Sequence, residues 1–141
     1  MLIRLAFFIF AAAFVSLIVA ADHGQIGHIW SFVAKIPFGD KLGHLGLVGT
    51  LTVLMNLHLK RRMAGPMMRG SLIVLVFMML EEGSQYFIPA RSFDGYDALA
   101  NLVGVICGEG LVRMLPRRVA MRDSRPSPRV GAASPAPCGA P

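Results

Sequence analysis

Three short groups of polar side chains interrupt a sequence that is otherwise mostly apolar. They are Asp40, Lys41 and His44; then Glu81, Glu82 and Gln85; and then Arg91, Asp94, Asp97 and Asn101. A carboxyl group or an imidazole among apolar residues can act as a general acid or base. A guanidinium or an ammonium group can hold an anion. These residue types therefore predict a site that moves protons or binds a polar head group.

The composition around these groups is that of a membrane protein. Apolar residues make up 55% of the chain and charged residues 16%, and the mean hydropathy is +0.60. A soluble domain carries about 25% charged residues. Four nearly uncharged stretches predict helices at about 3–21, 42–59, 67–88 and 96–115. Since about 20 residues cross a bilayer and continuous apolar runs favour helices over strands, we expect an all-α bundle of four transmembrane helices in residues 1–115.

The positive charges predict the orientation. Of the 14 lysines and arginines, only Lys35, Lys41 and Arg91 fall on the outer side if the N-terminus is cytoplasmic. That bias places both termini in the cytoplasm and predicts a multi-pass protein of the bacterial inner membrane. The basic residues flank apolar segments without interleaved aromatics, so nucleic acid is not an expected partner. Val19-Ala20-Ala21 also resembles a signal cleavage site, but we favour an uncleaved first helix.

The segments outside the four stretches have their own patterns. Between residues 22 and 40, apolar residues at helical spacing around Trp30 predict a short helix in the outer interface. The tail 116–141, rich in Arg, Pro and Ala, is expected to be disordered and cytoplasmic, near anionic lipid. Cys107 and Cys138 are not expected to form a disulfide.

Helical spacing predicts that the polar groups converge near the outer interface. Asp40 and His44 are four residues apart and share a helix face. One face of the fourth helix has polar residues at its outer end, Asp97 and Asn101, followed by the small residues Gly104 and Gly108. Such glycines, together with Gly43, Gly46 and Gly49 of the second helix, allow two helices to approach closely. Gln85 lies near both Glu81 and Glu82, and spacing does not choose between them.

Five motifs carry a family resemblance. In chain order they are Asp40-Lys41-Leu42-Gly43-His44, Glu82-x-x-Gln85, Pro89-x-Arg91-Ser92-Phe93-Asp94, Asp97-x-x-x-Asn101 and Gly104-x-x-x-Gly108. This series, over about residues 40–110, resembles the VanZ-like membrane family, named for a protein associated with low-level teicoplanin resistance. The resemblance implies a small helical bundle with a link to glycopeptide resistance through altered surface chemistry. It also selects Glu82 rather than Glu81 as the acidic position.

Our first hypothesis is a site in the outer leaflet that binds, and in its stronger form modifies, an envelope lipid or its anionic head group. Glu82, Asp97 and His44 are the candidate catalytic residues. The candidate ligand-binding residues are Asp40, Lys41, Gln85, Arg91 and Asn101. Membrane lipids are the expected partners, a homo-oligomer is compatible with so small a bundle, and no cofactor or metal site is expected.

The alternative hypothesis is a non-enzymatic scaffold or partner subunit. In it the polar cluster holds the bundle together, for example through a buried pair of Glu82 with Arg91 or Lys41. Two further expectations are structural under either hypothesis. Asp94 is expected to cap the fourth helix, and Glu109 and Arg113 are expected to pair near the inner boundary.

Overall fold

A computed structural model describes residues 1–25, 27, 31, 33, 35–88 and 94–116, and it is mostly helical. Its helices are α1 (Leu2–Asp22), α2 (Gly39–His58), α3 (Arg69–Ser84) and α4 (Gly95–Met114). A 3-10 turn, Gln85–Phe87, continues α3. The predicted helical bundle is therefore confirmed at the level of four helices. The expected interfacial helix and the tail after Pro116 lie mostly or wholly outside the described residues.

Helix α2 begins earlier than the apolar pattern predicts. The prediction started at Leu42, whereas the helix starts at Gly39, after Phe38 in a left-handed conformation with φ of 58°. The first turn contains Asp40 and Lys41, whose charges end the apolar run in the sequence. Because Lys41 pairs with carboxylates of this helix and of α4, these charges are compatible with the helix. The apolar run by itself therefore underestimates the length of helix α2.

A short β-hairpin joins α2 to α3, where the sequence predicted the third helix to begin. Strand β1 (Met63–Ala64) pairs antiparallel with β2 (Met67–Met68). Between them Gly65 has φ of +65°, which suits glycine in a tight hairpin turn before proline. The hairpin shortens α3 to 16 residues, so the prediction of a helix from 67 to 88 was wrong at its start.

Helix α2 is the centre of the bundle. It packs against α1, α3 and α4, and most extensively against α4. The core between the helices is apolar and consists of Phe7, Phe14, Val48, Leu51, Val74, Met78 and Val105. At the C-terminal end of α2, the ring of His58 stacks on Phe7 of α1 with 4.6 Å between centroids.

Glycines bring α2 and α4 together below the polar residues. A Cβ atom on Gly104 would lie 2.9 Å from the Leu45 carbonyl oxygen, and one on Gly49 would lie 3.3 Å from the Gly104 carbonyl oxygen. The prediction of close approach is confirmed for these positions. Gly43 and Gly46 have no atom within 4 Å of such a Cβ, so they do not belong to the contact.

The bundle exposes many large apolar side chains and buries several polar ones beside its apolar core. Large apolar side chains are exposed on all four helices, for example Phe8, Leu42, Leu80 and Ile106. Polar side chains are instead buried, among them Thr52, Asn56, Ser71, Glu82, Gln85, Asn101 and Glu109. Within the described part of the chain, α1 is the one helix long and apolar enough to cross a membrane, and its N-terminal position is also where a signal sequence lies.

Candidate functional site

The centre of the site is the ammonium group of Lys41, which lies among three aspartates. Its Nζ atom is 2.8 Å from Asp40, 2.6 Å from Asp94 and 2.7 Å from Asp97. The first aspartate is its neighbour on α2, and the other two are at the start of α4. The ammonium group donates hydrogen bonds to Asp40 and Asp94 and forms an ion pair with Asp97. Lys41 thus ties the N-terminal ends of α2 and α4 together.

Asp94 has two roles in this arrangement. Its Oδ1 atom accepts the backbone N–H of Tyr96 at 2.9 Å, so it caps α4 as predicted. Its Oδ2 atom accepts from Lys41. The bond from Lys41, and after it the bond from the Tyr96 backbone, hold the pKa of the Asp94 carboxyl below its usual range. Asp94 is therefore a charged acceptor at neutral pH.

His44 lies one helical turn below Asp40 and contacts α4 with both ring nitrogens. Its Nδ1 atom is 3.0 Å from Asn101 Oδ1, and its Nε2 atom is 3.9 Å from Asp97 Oδ2. An amide oxygen is only an acceptor, so this contact is a hydrogen bond in the tautomer that carries its proton on Nδ1. Nε2 then faces the space beside Asp97. Asn101 is fully buried, and its Nδ2 atom has no hydrogen-bond partner among the described residues.

Glu82 lies beneath the aspartates with 1% of its surface exposed. Its Oε1 atom accepts the backbone N–H of Asp94 at 3.4 Å, which is long for a hydrogen bond. Its Oε2 atom has no hydrogen-bond partner within the described residues. Gln85 donates instead to Glu81 Oε1 at 2.9 Å, so the structure resolves the choice that helical spacing left open. A buried carboxyl with an unused oxygen next to a polar cluster is typical of a functional site.

A pocket of about 150 Å³ adjoins the cluster between α1, α2 and α3. Most of its lining is apolar, including Phe14, Leu17, Ile18, Leu47 and Met78. Asp40, His44 and Glu81 supply its polar atoms. A pocket that combines apolar walls with a few polar groups suits an amphiphilic ligand.

The three aspartates are also the one group in the described residues whose geometry suits a metal ion. One oxygen from each of Asp40, Asp94 and Asp97 lies within 4.8 Å of the others. The Lys41 ammonium already lies among these oxygens and supplies a positive charge there. Among the described histidines, His44 is the one that contacts this group, through Asp97.

A second polar network, around Asn56 near the C-terminal end of α2, was not predicted from the sequence. Asn56 donates to Ser71 Oγ at 2.8 Å and accepts the Ser71 backbone N–H at 3.1 Å, and both side chains are fully buried. Glu109 accepts the Met68 backbone N–H and pairs with Arg113, as the sequence predicted for that pair. This network anchors the hairpin to α4. Its signal in the sequence is a lone Asn within an apolar run.

The structure brings most of the predicted site residues together. Five of them are linked by direct contacts of the kind just described, namely Asp40, Lys41, His44, Asp97 and Asn101. Glu82 adjoins them through the backbone of Asp94. Gln85 is buried beside Glu81 instead of joining the cluster. Arg91 lies outside the described residues.

No protein-family model, curated protein or solved structure matches this chain. The resemblance to the VanZ-like family thus stays a prediction from the sequence motifs.

Proposed function

We propose that all four helices span the bacterial inner membrane, with both termini in the cytoplasm. The support is the surface of the bundle, where apolar side chains such as Leu80 and Ile106 are 68% and 58% exposed while the polar side chains of Asn101 and Glu82 are buried. Water disfavours large exposed apolar patches, whereas hydrocarbon solvates them. The lysine and arginine bias of the loops gives the orientation.

The interior polar residues explain why α2, α3 and α4 are less apolar on average than α1. Each contributes buried polar groups to the bundle, for example Asn56, Glu82 and Glu109. Such groups lower the mean hydropathy of a helix without facing lipid. Helix α3 is also short, but the 3-10 turn Gln85–Phe87 lengthens it. Four short membrane spans that enclose these buried polar side chains are compatible with the lower mean hydropathy of α2, α3 and α4.

Labelling of introduced cysteines tests the topology in a background with Cys107 and Cys138 replaced by serine. We expect a membrane-impermeant maleimide to label Tyr96→Cys in intact spheroplasts, because Tyr96 is exposed at the outer start of α4. Met63→Cys in the hairpin should be labelled only after permeabilisation. Labelling of Met63→Cys in intact spheroplasts would contradict the orientation.

For function, we infer a VanZ-like protein whose outer-leaflet site binds an envelope lipid through its head group. The observation that carries this inference is the pocket whose apolar walls lead to Asp40 and His44. A lipid tail fits the apolar part, and the head group meets the polar cluster. At the outer interface both parts of an amphiphile have their preferred surroundings.

In the stronger form of this proposal the site also modifies the lipid. In the tautomer whose Nδ1 donates to Asn101, His44 then accepts a proton at Nε2. Glu82 and Asp97 hold or supply protons beside it. Lipid extracts compared by mass spectrometry between deletion and wild-type strains test this form, and identical extracts would contradict any modifying activity.

Binding itself is tested with two glycine variants of α2. Gly43 lines the pocket and Gly46 does not, and a Cβ on either meets no atom within 4 Å. We expect Gly43→Leu to lose lipid that co-purifies with the wild type, measured by native mass spectrometry, because the new side chain fills the pocket. Gly46→Leu is the matched control. Equal lipid on both variants would contradict binding in this pocket.

One observation favours the scaffold alternative. Lys41 joins α2 to α4 through the carboxylates of Asp94 and Asp97, which is what a structural cluster would do. The scaffold alternative predicts a protein partner that co-purifies and no bound lipid in any variant.

A further inference from the structure

The polar cluster has more acceptors than donors. Lys41 donates to Asp40 and Asp94 and forms an ion pair with Asp97, so one cation faces three carboxylates, which together have six oxygens. One further oxygen, Asp94 Oδ1, is used by the helix cap. Among the described residues, the lysine of this cluster already faces its carboxylates, so the cluster offers a ligand carboxylate oxygens rather than a free cationic donor.

The net charge at the outer end of the bundle also favours a positively charged ligand. Its acidic side chains include Asp40, Glu81, Glu82, Asp94 and Asp97, against the positive charges of Lys35 and Lys41. Arg91, which the sequence places in the preceding loop, does not make up the difference. The carboxylates of Asp40 and Asp94 are 44% and 37% exposed, so a ligand in the outer leaflet can reach them. Charge complementarity selects a positively charged group.

Glu82 supplies a second and independent observation. It is 1% exposed, its Oε1 atom touches the Asp94 backbone, and its Oε2 atom is unpartnered among the described residues. A buried carboxyl oxygen without a donor is costly unless something donates to it. A ligand that brings N–H donors to the cluster would remove this cost.

We propose that the site recognises a lipid whose head group carries a primary ammonium group, with one acyl chain in the pocket between α1, α2 and α3. The ammonium donates to the exposed carboxylates beside Lys41, and the chain lies against Phe14, Leu17 and Leu47. The proposal rests on the lipid-binding function proposed above and replaces the anionic head group expected from the sequence.

The test compares three lipids with identical palmitoyl and oleoyl chains on the purified full-length protein. Their head groups are phosphatidylethanolamine, phosphatidylcholine and phosphatidylglycerol. We expect phosphatidylethanolamine to bind at least tenfold more tightly than phosphatidylglycerol. It should also exceed phosphatidylcholine several-fold, because methylation removes the N–H donors. Asp40→Asn, which keeps the shape of the side chain and removes its charge, should reduce the preference for phosphatidylethanolamine over phosphatidylglycerol.

The outcomes separate this proposal from the function on which it rests. If the three lipids bind equally and Gly43→Leu abolishes their binding, the lipid site stands and the ammonium proposal fails. Tighter binding of phosphatidylglycerol also overturns it, and binding of that lipid only with added Ca²⁺ would assign the aspartates to a divalent cation. If no lipid binds to the wild type, the lipid-binding function itself fails.

Discussion

Gly108 of α4 lies directly against the backbone of Gly49 in α2. A Cβ atom on Gly108 would be 2.6 Å from the Gly49 carbonyl oxygen and 2.9 Å from Thr52 Cβ. Gly104, one turn nearer the site, makes the corresponding close approach to Leu45. The distance between α2 and α4 is therefore set by glycine, and that distance positions Lys41 and His44 against the residues of α4.

Gly108→Ala is expected to destabilise the protein by about 1–3 kcal/mol, the usual cost of overpacking a close contact. The methyl group has backbone on one side and Thr52 on the other, so neither neighbour can move easily. Thermal unfolding in detergent measures the effect. Gly110→Ala is the control, because a Cβ there meets no atom within 4 Å and alanine favours helix. Equal stability of the two variants would contradict the glycine contact.

Lys41→Met removes the cation between three carboxylates and is expected to lower the free energy of unfolding by about 2 kcal/mol, the scale of hydrogen bonds to charged groups. Repulsion among the aspartates adds to the loss. Adding Asp97→Asn should therefore recover part of the stability, since one negative charge is removed. A double variant less stable than Lys41→Met alone would show that repulsion is not the cause. Chemical denaturation of the single and double variants measures both values.

Asp94 gives a pH dependence with a definite sign. Its pKa is lowered in the folded protein by Lys41 and the Tyr96 backbone. The stabilisation is therefore fully present above the usual aspartate pKa of about 3.9 and is lost as the pH falls through the lower pKa of the folded state. Asp94→Asn keeps a good N-cap and removes the charge. We expect it to melt below the wild type at pH 7.

The same pair of proteins supplies the internal control for that prediction. As the pH falls from about 5 towards 2, the difference in melting temperature should shrink, because the wild-type carboxyl becomes neutral as well. A difference that stays constant over this range would mean that the charge of Asp94 does not stabilise the fold.

Periodicity predicted the four helices and much of the site because helical spacing acts over short distances. Asp40 and His44 share a face of α2, and Asp97 and Asn101 share a face of α4, as their spacing requires. Helical spacing does not predict which charges pair between two helices. The sequence did not indicate that Lys41 contacts Asp94 and Asp97, because those contacts depend on how α2 and α4 are rotated about their axes.

Long apolar stretches also conceal local backbone structure. Residues 67 and 68 looked like the start of a helix, but they form β2, because Gly65-Pro66 makes a tight turn. The choice of Gln85 between Glu81 and Glu82 depended on a side-chain rotation that the helical wheel does not fix. The inner network around Asn56 was overlooked because one amide in an apolar run carries little signal by itself.

The inner network gives the last prediction. Asn56 both donates to the Ser71 hydroxyl and accepts its backbone N–H, and neither side chain is exposed. Asn56→Ala leaves these two Ser71 groups without their partner, so we expect a loss of about 1–3 kcal/mol. Ser84→Ala, which removes an exposed hydroxyl bonded within α3, should change stability by less than about 0.5 kcal/mol. Thermal unfolding compares the two variants. Since the network lies at the opposite end of the bundle from Asp40 and His44, binding of lipid per folded molecule should stay at the wild-type value in Asn56→Ala. A proportional loss of binding would mean that the two ends are coupled through α2.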